Sequence, residues 1–162
     1  DATRMPRTVH LFYLRQMYIY NNLVKPGAVE LAGVPIDLTK VTVPVYLQAC
    51  REDHIAPFRS VFKARHNYSG PVRFVLAGSG HIAGVINPPD AKKYQHWRND
   101  AEPWEVDAWL KGATEYPGSW WPDWQAWLAP QSGEMVPARR PGDGKLTVIE
   151  DAPGSFVKVR SA

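Results

Sequence analysis

Two apolar runs constrain this chain more than anything else in it. Val45-Tyr46-Leu47-Gln48-Ala49-Cys50 stops abruptly at Arg51-Glu52-Asp53-His54, and Val72-Arg73-Phe74-Val75-Leu76-Ala77 stops at Gly78-Ser79-Gly80-His81. Each reads as a strand covered on both faces, because neither shows clean alternation, and each delivers a polar group into a loop at its C-terminal end. Pro44 limits ladder bonding, so pairing of the first run should begin just after it. Asp53 and His81 lie 28 residues apart, room for one strand–helix–strand crossover. In open parallel sheets, ligands bind outside the carboxyl ends of the strands. An Asp and a His meeting there form the carboxylate–imidazole pair that acyl transfer uses: the carboxylate orients the ring and stabilises its protonated form.

Between the runs, Phe58, Val61 and Phe62 make one face of a helix from about residue 57 to 65, and Asn67-Tyr68-Ser69-Gly70-Pro71 is a turn. Strand, helix, strand means α/β architecture. Two parallel strands do not make a stable sheet, so the remaining strands are expected upstream. Before this centre, residues 8–23 read as one helix nearly encircled by apolar and aromatic groups. That is more than one buried face requires, which fits packing under another domain or a partner or lid surface. A short hairpin is expected over residues 28–38.

Beyond residue 90 the pattern changes. Residues 92–97 read as a polar, aromatic connection, and residues 103–110 as a helix with Pro103 near its start. Residues 118–128 read as a second helix, with Ser119 as N-cap and Trp120, Trp124, Trp127 and Leu128 on one face. This cluster reads as core, with carbohydrate stacking or binding to an apolar polymer as the alternative. From Gly133 to Gly144, Gly, Pro and charged residues suggest a mobile link, and residues 145–160 read as a short irregular strand or a trail over the surface.

His81 is the candidate base, since a glycine-flanked ring at a strand end is open to water or substrate. His54 reads as a polar substrate-lining residue. Cys50 is the one cysteine, but it lies on the strand that ends in Asp53 rather than on a Gly-x-Ser-x-Gly type of elbow, so it reads as structural. The chain thus offers an acid and a base but no nucleophile. No metal-ligand spacing and no phosphate-cradling loop stands out. A net charge of +3 with dispersed basic residues gives no argument for nucleic acid. One cysteine excludes an internal disulfide and fits a reducing compartment. No run approaches the ~20 apolar residues that span a bilayer. The chain opens at Asp1 and enters an amphipathic segment at once, which reads as a piece of a longer protein.

Three stretches in order, Arg51-Glu52-Asp53-His54-Ile55-Ala56-Pro57, residues Gly78 to Pro89 (GSGHIAGVINPP) and residues Tyr116 to Trp124 (YPGSWWPDW), resemble the C-terminal part of the polyhydroxyalkanoate synthases, the single-subunit, short-chain type above all. The resemblance implies the C-terminal portion of an α/β-hydrolase fold: last parallel strands with crossover helices, then a Trp-rich helical tail. Residues 1–27 would end a cap and dimerisation region, 28–130 would belong to the catalytic core, and 131–162 would be a tail. It implies polymerisation of (R)-3-hydroxyacyl-CoA, 3-hydroxybutyryl-CoA above all, into polyester with release of CoA and no further cofactor. It also implies a homodimer on cytoplasmic granules. His81 would activate a nucleophilic Cys, and Asp53 would be the triad carboxylate and help activate the monomer hydroxyl. The family's Gly-x-Cys-x-Gly elbow is not in this chain, so these residues alone are expected to be inactive. The rival readings are an ester hydrolase or polyester depolymerase on the same fold, and a non-catalytic granule-binding module.

Overall fold

The computed structural model describes residues 4–160, and the chain divides into two compact units between Leu128 and Ala129. The first unit opens with helix α1 (Arg7–Tyr13), which loosens into a π-helical stretch, Leu14–Ile19. The helix expected to reach residue 23 stops there, and Asn21 turns the chain with a left-handed φ of 47°. No residue of either stretch is buried: Tyr18 and Ile19 are 70% and 67% exposed. A hairpin follows, β1 (Glu30–Leu31) against β2 (Val34–Pro35), in the expected segment.

The centre is a four-stranded sheet in the order β3-β4-β5-β6, made of β3 (Val45–Cys50), β4 (Val72–Ala77), β5 (Gln95–Arg98) and β6 (Thr114–Pro117). Strand β3 begins immediately after Pro44, where ladder donors resume. It pairs with β4 in parallel from Val45↔Val72 to Cys50↔Ala77, so both strands leave the sheet at the same edge. Helix α2 (Phe58–Lys63), continued by a 3-10 turn over Ala64–Asn67, makes the crossover.

The other two strands correct the sequence reading. Residues 92–97, read as a connection, contribute to β5, which runs antiparallel to β4 and to β6. The sheet is therefore mixed, and it grows downstream of β4. Gln95-His96-Trp97-Arg98 and Thr114-Glu115-Tyr116-Pro117 are short and largely polar, with no hydrophobic period to betray them. Helix α3 (Val106–Gly112) joins β5 to β6 and starts three residues after Pro103 rather than at it.

Alternation along the strands sorts two packing layers. Leu47 and Ala49 of β3, Phe74 and Leu76 of β4 and Trp97 of β5 meet α2 and α3 around Phe62 and Trp109. Phe62, Phe74 and Trp109 pack edge to face with centroids 4.9–6.3 Å apart, and burial of Phe62 or Phe74 stabilises by roughly 2–3 kcal/mol each. The other face carries Tyr46, Arg73 and Arg98 toward helix α4 (Trp121–Leu128). There the Tyr46 ring stacks on Trp120 at 6.0 Å and meets Trp127 at 5.3 Å. Ser119 Oγ accepts the Trp121 amide at 3.1 Å, but the first helical bond runs from the Trp124 amide to the Trp120 carbonyl, so Ser119 sits one residue before the capping position expected of it.

The second unit, described to residue 160, contains 3-10 turns at Ala129–Gln131 and Phe156–Lys158 and leaves Met135, Leu146 and Ile149 exposed. No strand forms over its described residues.

Candidate active site

The parallel register determines the site. Past its last paired residue, β3 stays zipped to the end of β4: the Arg51 amide donates to the Ala77 carbonyl (2.8 Å) and the Glu52 amide to the Ser79 carbonyl (3.0 Å). Ser79 takes a φ of 71°, the left-handed region that non-glycine residues seldom occupy. These bonds carry the two strand ends side by side as far as Asp53 and His81.

Asp53 then closes a turn on itself. Its Oδ1 accepts the amides of Ile55 (2.8 Å) and Ala56 (2.9 Å). Its Oδ2 accepts Nδ1–H of His81 at 2.8 Å. The Ala56 amide, the His81 ring and the Ile55 amide together hold the carboxyl below its usual range, against the opposing effect of burial. An ionised carboxylate can only accept, so the imidazole proton sits on Nδ1 and Nε2 is the basic nitrogen. The Asp53 side chain is 6% exposed and the His81 side chain 46%, so the anchor is shielded and the ring is accessible. The two residues the sequence singled out are brought together.

His54 is exposed beside Asp53, and no described hydrogen bond joins it to the pair. Cys50 is 1% exposed and its Sγ accepts from Gln48 Nε2 at 3.2 Å. Burial, assisted by the Asp53 charge and opposed by Gln48, pushes its thiol up, which disfavours a thiolate. Directly above it lies Gly84: a Cβ there would stand 2.5 Å from Cys50 Sγ, 2.6 Å from the Gly78 carbonyl and 2.9 Å from that of Gly80. Only a glycine lets the turn after His81 settle this close to the strand ends.

The sequence reading missed two features. Asp123, in the first turn of α4, is a buried carboxylate that collects Tyr46 Oη (2.8 Å), Arg73 Nε (3.0 Å) and Nη2 (2.6 Å), and Arg98 Nη1, from three different strands. Burial opposes its charge, but Arg73, Arg98 and Tyr46 outweigh that and its pKa falls. In addition, Trp120 Nε1 donates to the Gly84 carbonyl (3.0 Å) and Trp121 Nε1 to the Val85 carbonyl (2.9 Å). Val85, Ile86, Trp120, Trp121 and Trp124 surround an apolar hollow of about 280 Å³. The motif at 116–124 was the available signal, since Asp123 is its one carboxylate among four aromatic residues. Among the described residues, no cluster of His, Cys, Asp and Glu could hold a metal, and no helix is long and apolar enough to cross a membrane.

A carboxylate and an imidazole in contact at the carboxyl edge of a parallel strand pair, within a mixed sheet, define an α/β protein with a site suited to moving protons. Comparison with known proteins narrows this class. The chain is 50% identical to the poly(3-hydroxyalkanoate) polymerase subunit PhaC of Rhizobium etli and 47% identical to that of Cupriavidus necator, over 99% of its own length and 25% and 28% of theirs. It is 37% identical to poly(3-hydroxyalkanoate) polymerase 1 of Ectopseudomonas oleovorans, over 99% of this chain and 29% of the relative. The curated homologues that cover this chain at 47–50% identity are poly(3-hydroxyalkanoate) polymerases, and it matches only a C-terminal part of them. It spans about a quarter of the length of the curated relatives it matches. No family model matches it.

Proposed function

We propose that this chain supplies the acid–base half of a polyester-forming acyltransferase whose nucleophile comes from sequence outside it. The observation that carries this reading is the 2.8 Å contact between Asp53 Oδ2 and His81 Nδ1, on a chain similar over nearly its whole length to polymerases. In the proposed cycle, Nε2 of His81 takes the proton of a cysteine thiol. The thiolate attacks the thioester carbonyl of a 3-hydroxyacyl-CoA, and CoA leaves with that proton as the free thiol. The hydroxyl of a second acyl group then gives its proton to Nε2 and attacks the acyl-cysteine. An ester bond forms, the carbon–sulfur bond breaks, and the proton returns to sulfur. Asp53 keeps the ring in one tautomer throughout and does not itself change protonation. The monomer is an (R)-3-hydroxyacyl-CoA, with 3-hydroxybutyryl-CoA the first choice. His54 lines the approach to the pair, and no metal or further cofactor takes part. The complete protein works as a homodimer at polymer granules in the cytoplasm, on an α/β-hydrolase fold to which this chain contributes a C-terminal portion.

The test is His81→Gln in the full-length polymerase, with CoA release from 3-hydroxybutyryl-CoA as the readout. Turnover should fall by roughly six orders of magnitude, as when the base of a triad is lost, and the 162-residue chain alone should release no CoA. Normal turnover by the variant would overturn the reading. A serine in place of the upstream cysteine would turn it toward an ester hydrolase.

A further inference from the structure

His81 needs a rigid support, and within residues 82–86 of its own loop only Gly84 is buried. Residues 82–86 form only a turn, held by local amide bonds from Gly84 to Gly80 and from Val85 and Ile86 to Ile82. Ile82 and Ile86 are 71% and 65% exposed. Loops with few buried contacts open most easily, while proton transfer requires a ring held within hydrogen-bond reach of its target. Two indoles supply what the loop lacks. Neighbouring Trp120 and Trp121 donate to the neighbouring carbonyls of Gly84 and Val85, three and four residues past His81. The indoles are themselves tied to the sheet. Ser119 is buried and accepts from the Trp121 amide, Trp120 stacks on Tyr46 of β3, and Asp123 binds Tyr46, Arg73 and Arg98 on β3, β4 and β5.

We propose that Trp120 and Trp121 are positioning residues for His81, a two-point clamp on its loop that Asp123 anchors to three strands. The inference rests on the reading of His81 as the base. The clamp acts on the ring's position, not on substrate affinity, and so predicts a specific pattern of defects.

The test uses the full-length polymerase carrying Trp120→Phe, Trp121→Phe or both, which keeps the aromatic volume and deletes the indole N–H groups. In the double variant kcat should fall by roughly ten- to a hundredfold, as for about 1 Å of misplacement, with KM within about twofold. With isotope-labelled histidine, the NMR signal of His81 Nδ1–H should broaden by solvent exchange. Trp104→Phe, at a ring stacked on His66 at 3.8 Å and 62% exposed, should move neither readout. Unchanged kcat with an intact Nδ1–H signal overturns the proposal, and so does a loss of kcat with that signal intact. If the double variant melts, Trp121→Phe decides by the same criteria, since its indole bond lies at the surface. Should His81→Gln turn over normally, the functional reading falls, while the Nδ1–H signal still decides whether the clamp exists.

Discussion

Gly84→Ala is the sharpest probe of how the His81 loop is seated. The added methyl would lie 2.5 Å from Cys50 Sγ and 2.6 and 2.9 Å from two backbone oxygens, where ordinary contact begins at 3.4 Å. Relief requires a displacement of about 0.9 Å (3.4 less 2.5). None of the three neighbours yields readily. Cys50 Sγ is buried at a strand end, Gly78 is fastened by its amide to the Gln95 carbonyl at 2.7 Å, and the Gly80 oxygen accepts the amide of Gly84 itself. The turn must therefore lift. Overpacking of this kind costs about 1–3 kcal/mol, and with two of three clashes against backbone we expect about 2 kcal/mol, read by urea denaturation. His81 sits three residues before the lifted glycine, so the proposed turnover of the full-length protein should fall by one to two orders of magnitude. Cys50→Ala removes the closest clash alone. Combined with Gly84→Ala it should restore about 0.5–1 kcal/mol through coupling and leave the carbonyl clashes in place. A Gly84→Ala protein within about 0.5 kcal/mol of the parent and at full turnover would refute the reasoning, as would complete recovery by Cys50→Ala.

Two further outcomes test the electrostatics. Asp123→Ala leaves Arg73, Arg98 and Tyr46 without their shared acceptor, and should cost about 3 kcal/mol in urea; Asp123→Asn should recover part of it, and a loss below about 1 kcal/mol for the alanine variant would show that the network is dispensable. Because Asp53 titrates below an unfolded carboxylate, its contribution should be complete above that reference of about pH 4 and vanish as pH falls through the folded value. The gap in urea midpoint between parent and Asp53→Asn should thus be flat above about pH 5 and close on acidification; a gap that persists into strong acid would sink the assignment.

Strands β3 and β4 were legible because each is a six-residue apolar run with a hard stop, and Asp53 and His81 because they stand at those stops. Strands β5 and β6 were not, since Gln95 and Arg98 are polar at half-buried positions and Thr114 and Glu115 are exposed. Trp97, Thr114 and Tyr116 favour strands, but four-residue stretches with polar neighbours show it only once paired. Asp123 was hidden for a different reason: its partners stand 77, 50 and 25 residues away, so no local window contains them. The tail of the first helix failed on conformation, because an apolar period does not distinguish α from π winding.

The sheet's two flanks are unequal. On one, β6 is four residues long and ends in proline, a poor template for another strand. On the other, β3 runs six residues and, among the described residues, shares its ladder with β4 alone. A neighbouring segment would therefore join most readily beside β3. Joined in parallel, as β4 is on the other side, it would leave the sheet on the same rim as Asp53 and His81.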